Sequence, residues 1–523
     1  MRKDGVKPTV GIIVDKRGDP PYISVDKLWN ETVNIVSQKY DTEILEVESY
    51  KIENDTKYQR FISKIDVLIL LSPYYTVDRS LKEFPVIVYG LGSMQKGGHW
   101  LVDNQTSFKR YDYTILNCTA CQAIFDDLVK ENSIQRVLIP FGVDTSVFYP
   151  ITDKTAIRRK YNVPENAFIM VYCGRINLQK NPFLLLSLLR ILKDQHEDLR
   201  LMFIGSYDDF YISEFSDRKA PYIKTEFQKM INDFGLSSKI IFFENQNDPS
   251  LYSEMINMAD IGINLTTLLS ENFGYAAVEM QACGLPVIGA DWGGLKDTII
   301  DGVTGFHINT MLSSYGARIN VEQAKDRIQL LIKNQKKLKE MGKAARENVE
   351  KNYSSKVFAA NIQNIIQETY DKFIKRNISK KHLILNPLME KMSAQLHKKY
   401  GNTRHISWEH LHPEIDFNHY DMIASKCATC KADDVVWKHN SIISKGFDWT
   451  ISEGKFISYD PRWDLDFELR DLNLNDDEIL FLEFIDNGYT IEELMRNTYF
   501  RGEKTFYYLN ALTAKGMLIP WEK

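Results

Sequence analysis

The sequence has little of what marks a special environment. No apolar run approaches the roughly 18 residues that a bilayer-spanning helix requires; the run VLILL from Val67 to Leu71 has the length of a strand. The basic residues at the N-terminus (MRKDGVKPTVGIIV) precede an apolar stretch too short for the core of a secretory signal. Six cysteines in 523 residues do not build a disulfide framework. Neither sign of charge prevails, with 65 Lys plus Arg against 70 Asp plus Glu and a formal charge of −5, so nothing in the balance suggests a general affinity for nucleic acid or anionic lipid. No internal repeat of solenoid length is present. What remains is ordinary globular composition, 44% hydrophobic and 26% charged, in a chain long enough for two or more domains. These features lead us to expect a soluble cytoplasmic protein, with peripheral membrane contact left open.

The first 150 residues alternate short aliphatic runs (from Val10, Thr42, Ile65, Phe84, Tyr113 and Val137) with stretches of helical spacing such as 25–40 and 120–131. Strand and helix alternating at this interval predict a doubly wound parallel sheet. Residues 151–350 repeat the pattern, with strands expected from Ala167, Leu199, Lys239, Ile261 and Pro286. Asn181-Pro182 is expected to open a helix, with Asn as cap and Pro in its first turn. Two long polar-faced helices are expected over 320–375, with 351–375 returning toward the first domain. The fold class is thus α/β, two Rossmann-like domains facing a cleft, with an α+β extension at the C-terminus. Residues 376–440 read as a His- and Lys-rich connector. The last segment, 441–523, reads as a small β unit followed by helix, helix, helix and strand, an order resembling a winged helix.

Chemistry concentrates in the stretch from Ser270 to Ile308, SENFGYAAVEMQACGLPVIGADWGGLKDTIIDGVTGFHI. Glu271 lies on a loop leaving a strand, Phe273-Gly274 opens a helix, and Glu279 sits on it. Gly274 lets backbone approach a ligand, and unpaired N–H groups at a helix start suit a diphosphate. Carboxylates on either side can accept hydrogen bonds from sugar hydroxyls. Three further elements stand in order: IPFGVDTSVFYP from Ile139, CGRINLQKNP from Cys173 and LYSEMINMADIGINL from Leu251.

Together these four elements resemble the signature of retaining glycosyltransferases of the GT-B fold, in glycosyltransferase family 4, whose E-x7-E element is present as Glu271 and Glu279. The resemblance is carried by residues 139–310, and by pattern alone before them. It implies transfer of a sugar from a nucleotide diphosphate donor, UDP-linked or GDP-linked with UDP favoured, to a glycan, lipid-linked, or peptide or protein acceptor. It further implies retention of configuration and no required metal or other cofactor. Arg175 and Lys180 would contact the diphosphate, and Glu279 the ribose. Glu271, with the Phe273 and Gly274 amides, would hold the sugar. Tyr275, Gly205 and Asn245 complete the implied donor contacts, with Asn245 toward the base.

The family's glycine-rich loop after the first strand is replaced here by DKRGDPPY from Asp15, and its histidine after the fourth strand by YGLGS from Tyr89. His99, in Gly97-Gly98-His99-Trp100, is the nearest substitute, and it reads either as a further catalytic residue or as an ordinary hydrogen-bonded loop residue. Cys118 and Cys121 read as small buried residues. Cys427 and Cys430 lie in a region holding seven of the ten histidines, which leaves a structural zinc site open beside the reading as plain thiols. Residues 471–523 carry ten acidic residues against five basic, so nucleic acid is not an expected partner and a protein partner or self-association through 376–523 is. Deleting 376–523 is expected to spare donor binding. Two rival readings are a catalytically silent scaffold and a nucleotide-sugar epimerase or phosphorylase on the same fold.

Overall fold

The computed structural model describes residues 7–15, 23–48, 52, 55–94, 98, 100–104, 107–129, 134–208, 222–313, 316–375, 417–447, 449–453, 455–458 and 474–521. The chain divides into two compact units: Met1–Asp144 with Leu269–Tyr275 and Lys351–Lys426, and Thr145–Leu268 with Ala276–Glu350 and Cys427–Lys523.

The first unit is built on six parallel strands: β1 (Val10–Asp15), β2 (Thr42–Val47), β3 (Val67–Leu70), β4 (Val86–Tyr89), β5 (Tyr113–Leu116) and β6 (Gln135–Leu138). Their order is β2-β1-β3-β4-β5-β6. β3, β4 and β5 are buried along their whole length, which is why they read as apolar runs, interrupted only by Thr114, rather than alternating ones. The helix Ser355–Ile374 closes one side: Tyr40 donates to the Gln363 carbonyl at 2.7 Å and Gln363 returns a bond to the Ile35 carbonyl at 3.2 Å. A buried ion pair stitches the loops, with Arg79 donating through both terminal nitrogens to Asp112 at 2.9 and 2.7 Å.

In the second unit, β7 (Phe168–Cys173), β8 (Leu199–Ile204), β9 (Ile240–Phe243), β10 (Ile261–Asn264), β11 (Val287–Ala290) and β12 (Gly305–Ile308) are parallel in the order β12-β11-β10-β7-β8-β9. The order reverses between β7 and β10, the position at which open α/β sheets leave a crevice at their carboxyl ends. The helix Pro182–Leu192 is apolar nearly all round and buried accordingly.

Two local expectations need correction. Asn181 precedes that helix, but its side chain does not cap it: its backbone is left-handed at φ 56°, and its amide donates to the Leu265 carbonyl at 3.3 Å. Residues 320–375 form three helices, Val321–Lys333, Gln335–Asn352 and Ser355–Ile374, not two. Asn334 and Ser354 break the run, each accepting a backbone N–H at a helix start.

The C-terminal residues complete the second unit. A hairpin of β13 (Thr310–Ser313) and β14 (Gly316–Ile319) gains a parallel third strand, β15 (Cys430–Lys431). β16 (Ile442–Lys445) pairs antiparallel with β19 (Leu518–Trp521), and β17 (Trp449–Ser452) with β18 (Lys455–Ser458). Between them lie the helices Asp476–Asp486, Ile491–Arg496 and Glu503–Ala514, in the expected order. The first two open with capping boxes, Asn475 with Glu478 and Thr490 with Glu493. Phe447, Trp449, Phe481, Leu482, Phe500, Leu509 and Leu512 form their shared core.

This module is not a separate body. Glu322 N–H donates to Ser444 at 3.1 Å and Ile319 N–H to the Gly446 carbonyl at 3.2 Å. The Arg318 guanidinium lies 5.2 Å from the Phe447 ring centre. A deletion that removes the module therefore strips a packed face from the second unit.

Candidate active site

Within the second unit, Gly174, Arg175 and Lys180 leave the carboxyl end of β7, beside the order reversal. The loop is tied to both neighbouring strand ends. Ile176 N–H donates to the Ser206 carbonyl at 2.9 Å and Asp208 N–H to the Ile176 carbonyl at 3.1 Å, on the β8 side. Asn181 reaches Leu265, on the β10 side. Asn177 caps the turn Leu178–Lys180 by accepting the Lys180 N–H at 3.1 Å. Tyr172 donates to the Arg175 carbonyl at 2.6 Å, fixing the backbone beneath the guanidinium.

Arg175 has a partner that sequence reasoning missed. Its Nη1 donates to Asp208 Oδ2 at 2.6 Å, and Asn177 donates to the same oxygen at 3.1 Å. The available signal was topological: β7 and β8 are parallel neighbours, so the residues just past their ends lie side by side. Gly205, expected to border a nucleotide, has a more basic duty. A Cβ built on it would lie 1.9 Å from the Gly174 carbonyl oxygen, so the two loops can approach only over a glycine.

Glu279 is buried on the helix Tyr275–Ala282. Its charge acts on three groups, the buried thiols of Cys173 and Cys283 and half-buried Tyr252. Burial first, and the Glu279 charge with it, raises all three, pushing the Cys283 thiol up to about 12. They stay neutral, so the carboxylate has no competing anion beneath it. Asn245 lies beyond β9, exposed, and contacts Asn247 at 3.5 Å.

The remaining site residues belong to the first unit. Glu271 and Phe273 are buried, and Gly274 has φ 79°, a left-handed turn immediately before the helix start. Tyr275 stacks on Phe141 with ring centres 5.4 Å apart and planes 7° from parallel, and Phe273 meets Phe141 edge-on, also at 5.4 Å. Lys27 Nζ lies 5.6 Å from the Tyr275 ring centre. On the helix Ile23–Ser37, which carries Lys27, burial raises the Glu31 carboxyl against the lowering effects of Ser355 and Lys27. His99 lies outside the described residues.

Cys118 and Cys121 are buried at the start of the helix Thr119–Leu128, where Cys118 Sγ accepts the Cys121 N–H at 3.4 Å. Of the seven histidines that leave a zinc site open at Cys427 and Cys430, five lie outside the described residues. Cys430 directs its thiol to the Thr310 carbonyl at 3.9 Å, and His439 packs edge-on against Phe506. Among the described residues no group of three or more His, Cys, Asp or Glu is placed to hold a metal. Among them, too, no helix is long and apolar enough to cross a membrane.

Residues 153–348 match the family model described as "Glycosyl transferases group 1". D-inositol 3-phosphate glycosyltransferase of Geodermatophilus obscurus is 31% identical over 175 residues, 33% of this chain and 36% of that protein. Lipopolysaccharide 1,2-N-acetylglucosaminetransferase of Salmonella typhimurium is 26% identical over 195 residues, 37% of this chain and 48% of that protein. The chain thus spans about a third to a half of the length of these curated relatives. Among solved structures, Anabaena Alr3699/HepE in complex with UDP and glucose aligns with 70% of this chain and 100% of its own, at TM-score 0.52 and 15% identity. That likeness establishes the fold, two Rossmann-like α/β domains of the GT-B type.

Proposed function

We propose that this protein is a glycosyltransferase that moves a sugar from a UDP-linked donor to a glycan, lipid-linked or peptide acceptor, with retention and without a divalent ion. The observation that carries the reading is the cationic loop at the reversal of the second sheet. Arg175 and Lys180 leave β7 there, in the part of the chain that matches the group 1 family model. Breaking the bond between sugar and diphosphate builds negative charge on the departing nucleotide. Two cations on a loop held at both sides meet that charge with little reorganisation. Asp208 and Asn177 hold Arg175 in place beforehand. In this reading Glu279 accepts the ribose hydroxyls, and its neutral neighbours leave its negative charge for that contact. Glu271 accepts from the sugar, with the Phe273 and Gly274 amides; Tyr275 lies next to them, Gly205 keeps the phosphate loop in contact with β8, and Asn245 faces the base.

Thermal melting of the full chain with UDP and with GDP tests the reading. UDP at a hundred times its Kd should stabilise the protein by about 2.7 kcal/mol, a shift of several degrees. Absence of a shift with either nucleotide would count against it.

A further inference from the structure

The turn after β11, Asp291–Lys296, leaves the same end of the second sheet as Arg175, two strands away. It contains Gly293-Gly294, with Gly293 at φ 51°, and two adjacent glycines give a backbone little stiffness of its own. Asp291 N–H donates to the Ile308 carbonyl and Trp292 Nε1 to the Leu268 carbonyl, both at 2.8 Å, and residues more than a hundred positions later add further ties. Gly293 N–H donates to the Cys427 carbonyl at 3.1 Å, and Lys296 Nζ to the Ala428 carbonyl at 2.9 Å. Thr429 Oγ1 donates to Asp291 Oδ2 at 2.7 Å and accepts the Thr310 N–H at 2.9 Å. Thr310 Oγ1 accepts the Thr429 N–H at 3.0 Å and donates to the Asp291 carbonyl at 2.8 Å. The two hydroxyls thus close a ring joining the β11 turn, β13 and the strap ahead of β15. Thr310 is fully buried and Thr429 lies at the surface edge of the ring.

We propose that Thr310 and Thr429 are positioning residues: through them the segment Cys427–Lys431 straps the Asp291–Lys296 turn and sets where the sugar end of the donor lies. This rests on the function proposed above, under which the base lies toward β9 and the diphosphate at β7. A donor laid along the strand ends then carries its sugar past β7 toward β10 and β11. The accessory module, which follows the strap directly, is thereby coupled to donor placement as well as packed beside it.

The test uses the full chain with Thr310→Val, Thr310→Ser and the surface variant Thr429→Val, which disturbs no core packing. Hydrogen exchange of peptides covering 290–298 is read beside UDP affinity and the release of UDP from UDP-glucose and UDP-N-acetylglucosamine. Thr310→Val should speed exchange at the turn and lower kcat about ten-fold while UDP affinity holds. Thr310→Ser should restore both, and Thr429→Val should move both in the same direction by less. Unchanged exchange in both valine variants overturns the strap. So does faster exchange with unchanged kcat, or a parallel fall of UDP affinity and kcat that serine does not rescue. A wild-type protein that neither binds UDP nor releases it overturns the proposed function instead, and exchange alone then decides whether the ring holds the turn.

Discussion

Replacing Gly205 by alanine tests whether the phosphate-side loop depends on the close approach of two strand ends. The added Cβ would lie 1.9 Å from the Gly174 carbonyl oxygen and 2.8 Å from its carbon, both backbone atoms that cannot rotate away. Relief requires the ends of β7 and β8 to part by more than about 1 Å. That carries the Gly174 N–H···Ile204 bond (3.0 Å) and the Ile176 N–H···Ser206 bond (2.9 Å) beyond useful length. Each is worth about 1 kcal/mol net, and the residual strain of overpacking adds about 1–2 kcal/mol. The expected loss is about 3–4 kcal/mol, near 10 °C in melting temperature. UDP affinity should fall with it, because Arg175 and Asp208 both lie on the loops that part. Gly302→Ala supplies the control: nothing lies within 4 Å of its Cβ, so only its φ of 73° opposes the change, at about 1 kcal/mol. Circular dichroism melts of both variants decide the matter. A Gly205→Ala protein that melts within a degree of wild type would refute the reasoning.

Three further outcomes are expected. Asp112→Asn removes the charge opposite buried Arg79 and should destabilise the first unit by about 3 kcal/mol, read by urea denaturation. Burial pushes the Asp486 carboxyl up, but hydrogen bonds from Lys445, Thr450 and Ile451 prevail and hold it below the ordinary carboxylate range. Its contribution is therefore complete above about pH 4 and lost as pH falls through its lowered pKa; an Asp486→Asn variant should show a flatter acid limb than wild type in melts from pH 6 to 2. Truncation after Lys426 should lower solubility and abolish UDP binding, checked by gel filtration and calorimetry, because it bares the faces of β13 and of the helix Val321–Lys333 that the module covers.

Much of the fold was legible because parallel strands buried on both faces are apolar along nearly their whole length. VLIL at β3 and VIVY at β4 could hardly be anything else. The short strands β13 to β15 were not legible: their pairing joins residues more than a hundred apart, and nothing local in Cys430-Lys431 announces a strand. Asn181 shows the same limit at one residue, since its side chain prefers a distant carbonyl to the cap its position suggests. Arg175 and Lys180 stood out through the order of four motifs. Asp208 did not, because its role depends on which strands are neighbours. The strap at Thr429 was hidden behind two cysteines whose spacing drew attention to metal instead.

The most direct measurement is the release of UDP from UDP-sugars by the full-length protein and by Lys180→Ala. Slow release by the wild type, reduced about a hundred-fold in Lys180→Ala while the variant's fold and melting temperature are kept, is what the account predicts. Release at equal rates by both proteins, or by neither from any UDP-sugar, would contradict it.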